Sequence, residues 1–156
     1  MTVSNVLIDT NLMVLLVVGK VAPDLIGKHN NLLGYTEQDY LTLIKILFGT
    51  KKLLVTPNIL TETSNLLGQI GDPHKTRLFE GFKTVIRAME VIEEIYVPSS
   101  VAANRPEFVR LGLTDAGTLV DHDSHFVLLT ADAKLYVAAH AVGRAAENFN
   151  HYRTLN

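Results

Sequence analysis

The sequence contains no cysteine, which excludes a disulfide scaffold, a thiolate zinc site, an Fe–S cluster and a cysteine nucleophile. Long hydrophobic runs are missing too. The longest uninterrupted apolar stretch, Leu12 to Val18, has seven residues, against about 20 for a membrane-spanning helix. An export signal fits poorly, because the first Lys or Arg is Lys20, after the apolar run, and Asp9 falls where such a signal is purely apolar. A dominant charge of one sign is also lacking: 14 Lys and Arg stand against 16 Asp and Glu, for a net charge of −2. No global field draws the chain to nucleic acid or to a membrane, so any such contact needs a local patch. These absences lead to the expectation of a soluble intracellular protein, with the cytoplasm as default compartment and no membrane partner.

What is present is ordinary globular composition. Apolar residues make up 47% and charged residues 19% of the 156 positions, enough for one core and too apolar for a disordered chain. Short β-branched or aliphatic runs at 3–8, 52–56 and 125–130 read as buried strands, and 146–151 reads as a candidate closing strand. Helical patterns are expected at 12–18, 37–48, 58 to about 68, 73–95, 106–112, 115–121 and 132–142. Residues 19–36 lack periodicity and read as a loop. Solid apolar strands separated by helices imply a parallel sheet buried on both faces. The expected fold is therefore α/β: residues 1–156 form a single Rossmann-like domain, its mostly parallel sheet having about four to five strands with helices on both faces.

In an open α/β sheet, ligands bind outside the carboxyl ends of the strands. Asp9 follows the first strand and Asp132 follows the strand at 125–130. Glu62 lies three residues after Ile59 and four before Leu66, so helical spacing sets it on the same, inward face. Asp115, with Thr114 as the expected cap, begins a helix and leans inward four residues before Leu119. Each acid also has a plainer role. Asp9, Asp115 and Asp132 stand where aspartate caps helix amides, and Glu62 fits a partly exposed early-turn glutamate. Two unit charges 4 Å apart repel by about 4 kcal/mol at an effective dielectric of 20, so four carboxylates sharing one mouth require cations. An all-oxygen cluster suits Mg²⁺ or Mn²⁺.

Other signals carry less. Asp121-His122-Asp123-Ser124-His125 precedes a strand, at the amino end of the sheet, and reads as a solvated turn; His140 reads as a packed or surface histidine. Asp9-Thr10-Asn11-Leu12 is not a glycine-rich phosphate loop. Asn11 also occupies the position where a phosphotransferase with an aspartate nucleophile wants its second acid. Lys134, Arg105 and Arg110 are candidate phosphate contacts, with ordinary surface charge as the alternative. The longest helical pattern offers Phe79, Phe82, Ile86 and Met89, compatible with a homodimer or protein partner, or with cover from the same chain.

Taken together, Val-Leu-Ile-Asp9-Thr-Asn11, then Thr56-Pro57 with Thr61-Glu62, then Leu113-Thr114-Asp115-Ala116, then Leu129-Thr130-Ala131-Asp132-Ala-Lys-Leu135 resemble the PIN-domain family. The tail from Gly143 to Asn148-Phe149 is similar to the family's closing segment. The resemblance implies a Mg²⁺- or Mn²⁺-dependent endoribonuclease with Asp9, Glu62, Asp115 and Asp132 as catalytic metal ligands and RNA as substrate. It implies Asn11 and Thr130 as polar helpers orienting the acids. Some members are toxins, which adds an antitoxin-like partner to the expectations. The 52 residues between Asp9 and Glu62 exceed the usual interval of the compact toxin-type members. The rival reading is a catalytically silent module that binds RNA or protein and uses its acids as caps.

Overall fold

The structure, a computed structural model, describes residues 4–88 and 90–153. Five parallel strands stand in the order β3-β2-β1-β4-β5, where β1 is Asn5–Ile8, β2 Leu53–Val55, β3 Ile92–Glu94, β4 Phe126–Thr130 and β5 Ala146–Asn148. β1 is central, and Val6, Leu7 and Ile8 are completely buried between its neighbours and the helical layers. Its register pairs Val6 with Leu53 on one side and Leu7 with Leu128 on the other.

Four helices group around the first of them: α1 (Thr10–Val21), α2 (Glu37–Phe48), α3 (Pro57–Leu67) and α4 (His74–Ile86), with α1 touching the other three. From β3 the chain passes through α5 (Ser99–Ala103), α6 (Phe108–Leu111) and α7 (Leu113–Thr118) to β4 on the far side of β1. It then passes through α8 (Ala133–Ala141) to β5. Right-handed crossovers that run outward in opposite directions from β1 put these two helix groups on opposite faces. The strand order therefore reverses between β1 and β4, and a crevice opens at their carboxyl ends. The expected α/β fold is borne out, with every strand parallel.

α1 has no polar face because it is wrapped on all sides: Leu12 through Val18 are buried throughout. It continues past the expected end at Val18 to Val21, shortening the expected loop, and two short 3-10 turns (Pro23–Leu25 and Asn30–Leu32) follow. Gly19 and Gly81 explain the close packing around it. A Cβ at Gly19 would lie 2.1 Å from the Tyr40 ring, and one at Gly81 would lie 2.3 Å from a Val21 methyl, so α2 and α4 approach α1 only because both positions lack a side chain.

The helix expected over 73–95 is two elements. α4 ends at Ile86 and Ile92–Glu94 forms the edge strand β3, pairing Leu53 with Ile92 and Val55 with Glu94. Ile92 thus faces the core from a strand, where its backbone satisfies the open side of β2. Phe82 is buried, and Phe79 and Ile86 pack on the same core, so this chain covers most of the apolar face of α4. The expected closing strand stops at Asn148, whose side chain accepts the Asn150 N–H at 2.9 Å and turns Phe149–His151 into a 3-10 turn. A helix not expected from sequence, α5, packs Val97, Ala102 and Val120 into a small satellite core. Val3 and Met89, assigned above to a strand and a helix seam, lie outside the described residues.

Candidate functional site

Asp9 stands where β1 ends, and its amide still extends the ladder to the Leu129 carbonyl at 3.1 Å. Its carboxylate is buried and fully engaged. Oδ1 accepts the Leu12 N–H at 3.0 Å, capping α1, while Oδ2 accepts the Ala131 N–H at 3.1 Å and the Thr130 hydroxyl. Thr130 is completely buried, and its Oγ1 also accepts the Asp132 N–H at 2.9 Å. One hydroxyl therefore ties together the acids that follow two adjacent strands. Asp132 caps α8, taking the Lys134 and Leu135 amides at 2.7 and 3.0 Å. Asp9 thus spends both oxygens on the protein, whereas Asp132 uses only Oδ1 for its cap and leaves its second oxygen without a hydrogen bond among the described residues.

Asp115 is different. The structure makes Gly112, not Thr114, the N-cap residue of α7, with no side-chain cap, and sets Asp115 inside the first turn. Among the described residues its carboxylate accepts no hydrogen bond, so the cap role expected of it is absent. Burial, and then the charges of Asp9, Asp132 and Glu62, push its carboxyl up to about 7. Asp9 is raised as well, by burial first, against the three hydrogen bonds that favour its charged form and with a further push from Asp132. All four acids therefore share one electrostatic field.

Glu62 joins that field from the solvent side. The buried seam of α3 is Ile59, Thr63 and Leu67, so the inward face inferred for Glu62 is corrected by one position. Its carboxylate is exposed, where water repays the cost of a charge. It lines an open cleft of about 350 Å³ with Asn58, Asn65 and Thr114. Asn11 is exposed in the first turn of α1 and its side chain makes no hydrogen bond among the described residues.

The loop and tail supply groups that no local pattern announced. Burial and then the Asp9 charge raise the Tyr35 hydroxyl, with Arg153 opposing and Asp39 adding to the shift. Arg153 lays its guanidinium 4.6 Å from the Tyr35 ring centre and bonds both Asp39 oxygens, at 2.9 and 3.0 Å. Asp39 is pushed up by burial, but the Arg153 and Thr36 hydrogen bonds outweigh it and hold the carboxyl below its ordinary value. Asn150 completes the latch. It donates to the Ala131 carbonyl at 2.9 Å and accepts from Arg153 at 3.3 Å. The tail is thereby fastened to Ala131, the residue whose amide holds Asp9. Arg153→Ala leaves the nearly buried Asp39 without its counter-charge and is expected to lower unfolding free energy by about 2 kcal/mol in urea titrations. Arg153→Lys is expected to restore less than half, since an ammonium cannot make the forked contact.

Of the basic candidates, Lys134 stands exposed two residues beyond Asp132, at the rim. Arg105 and Arg110 do not reach the acids. Both gather around Glu107, with Arg105 bonding its two oxygens at 3.2 Å each, and Arg105 also shares the field of Arg144. The Asp121–His125 segment is a turn in which His122 Nδ1 accepts the Ser124 N–H at 3.1 Å and Asp121 meets Arg144 at 3.4 Å. It stands at the opposite end of β4 from Asp132. His140 is exposed and edge-on to Tyr136.

The donor chemistry at the mouth is all oxygen, as hard divalent ions require. Among the described residues no set of three Asp, Glu or His side chains is placed to hold one ion between them. Mg²⁺ needs less than that, because it retains several waters and commonly takes only one or two carboxylates from the protein. Asp115, whose carboxyl is pushed up to about 7 and accepts no hydrogen bond among the described residues, in the field of three other acids, fits such an ion. No protein-family model and no curated protein matches the chain.

Proposed function

We propose that the protein is a metal-dependent endoribonuclease that hydrolyses RNA phosphodiester bonds at this acidic mouth, using Mg²⁺ or Mn²⁺. The observation that carries the reading is the meeting of Asp9, Glu62, Asp115 and Asp132 in one field at the switch point of the sheet. Capping explains two of these acids and leaves Asp115 without a structural partner. RNA as the substrate rests on the resemblance of the acids and their neighbours to the PIN-domain pattern. Bound there, the ion would activate water and offset charge on the leaving oxygen. Asp9 and Asp115 would hold it from the inner wall, and Asp132 and Glu62 from the rim, directly or through water. Thr130 fixes the Asp9 carboxylate, and Lys134 is positioned to meet a substrate phosphate.

The test is incubation of mixed RNA and DNA with Mg²⁺, Mn²⁺ or EDTA. RNA cleavage that requires the ion and stops in EDTA is expected; cleavage unaffected by EDTA, or none under any condition, overturns the reading. A silent RNA- or protein-binding module remains the second reading, favoured by the caps that already satisfy Asp9 and Asp132 and by the absence of a ready three-ligand set. It would bind without cutting and without a metal response.

Metal binding should also be linked to pH. An ion at the mouth competes with the proton on Asp115, whose environment also includes Asp9, Asp132 and Glu62. Stabilisation by Mg²⁺ or Mn²⁺ should therefore be small at pH 5 and grow as the pH rises through about 7. At a free concentration a hundred times Kd the linkage is worth about 2.7 kcal/mol, or roughly 5–10 °C in Tm for a chain of this size. Melting curves at pH 5 and 8, with and without the ion, check it.

A further inference from the structure

At the other end of the sheet lies a second cavity, about 410 Å³, between α1, α2 and α4. Its volume lies within the ordinary range for small-molecule sites. Leu16 and Val85 form part of an aliphatic floor, and Phe48 stands at the lip with 91% of its surface in water. The charged residues that line the cavity are Lys20, Lys51 and Lys52, all of one sign. Lys52 is partly engaged by Glu93 at 3.6 Å, and Lys20 and Lys51 have no ion-pair partner among the described residues. Lys51 and Lys52 immediately precede β2, so the cavity opens at the amino end of the strands and is separate from the acids.

An apolar hollow with ammonium groups at its rim is complementary to a molecule that is apolar along its length and negative at one end. We propose that this cavity binds a single-chain amphiphile with an anionic head, carboxylate or phosphate, its chain over Leu16 and Val85 and its head against Lys20 and Lys51. An acidic peptide matches the lysines, but a hollow of about 410 Å³ takes one aliphatic chain more readily than it takes a peptide. The site stands independently of the ribonuclease reading.

Calorimetric titration of the whole protein with decanoate, dodecanoate, dodecyl phosphate and decanol, below their micelle concentrations, tests this. One site per chain is expected, with dodecanoate about tenfold tighter than decanoate, as two more buried methylenes require. Decanol should bind at least tenfold more weakly than decanoate. The ratio of dodecanoate to dodecyl phosphate identifies the head, and a preference for either supports the proposal. Lys20→Gln with Lys51→Gln should weaken dodecanoate at least tenfold and leave decanol unchanged. Ala88→Phe, which fills the hollow from its wall, should remove binding of all four while the protein still melts cooperatively. The proposal is overturned if dodecanoate does not bind, if decanol binds as well as decanoate, or if both variants bind like the unsubstituted protein. It is also overturned if an acidic amphipathic peptide binds one to one where dodecanoate does not.

Discussion

Asp115→Asn is expected to yield a folded protein whose RNA cleavage falls at least about a hundredfold, some 2.7 kcal/mol of barrier. The substitution keeps the shape of the side chain and removes only its charge. Because Asp115 caps nothing, no helix amide loses a partner. In metal-free buffer the variant should be the more stable protein, and the sign follows from the raised carboxyl. The folded chain retains the Asp115 proton up to about 7, whereas the unfolded chain releases it near 4. Folding thus takes up a proton between those values, and wild-type stability falls as the pH rises across them. The advantage of Asp115→Asn is absent below pH 4 and complete above pH 7. Moving the carboxyl from near 4 to about 7 is worth about 4 kcal/mol at most, and discounting the solvent-facing part of the side chain leaves roughly 2–3 kcal/mol. Melting at pH 5 and 8 with EDTA, beside a cleavage assay with Mg²⁺, reads both effects. Asp123→Asn, in the turn at the far end of β4, is the control and should cut normally. Wild-type cleavage by Asp115→Asn, or loss of cleavage in a folded Asp123→Asn, would place the active site elsewhere.

Thr130→Val is expected to lower stability and cleavage together. Valine fills the same volume, so the change isolates the hydroxyl. Asp9 Oδ2 keeps only the Ala131 amide, and the Asp132 N–H loses its acceptor. Leaving such groups unpaired at a buried site costs about 1–3 kcal/mol. Cleavage should fall by roughly 10–100-fold, as when a partner that orients a metal ligand is removed. Thr130→Ser, which restores the hydroxyl without the methyl, should recover most of the activity. A valine variant that is destabilised but cuts normally would reduce Thr130 to a packing residue. Urea titration and cleavage rates on the same preparations separate the outcomes.

The sequence by itself determined the α/β class, the parallel sheet and the acids at its carboxyl edge. Solid apolar strands alternating with helices leave a narrow choice of topology, and the residue after such a strand must stand at one edge of the sheet. Asp9 and Asp132 could therefore be located from the chain alone. The tertiary structure decided the rest. Period alone gave Ile92 to a helix, because one residue fits a helical seam and a short strand equally well, and only the open side of β2 selected the strand. Helical spacing turned Glu62 inward, yet burying a carboxylate costs more than burying Thr63, and the α3 seam passes through Thr63. The latch of Tyr35, Asp39, Asn150 and Arg153 left no local signal, since its two halves, Tyr35 with Asp39 and Asn150 with Arg153, are far apart along the chain and meet only after the sheet has formed. Pairing across 114 residues, as between Arg153 and Asp39, is decided by where the folded backbone brings the two side chains.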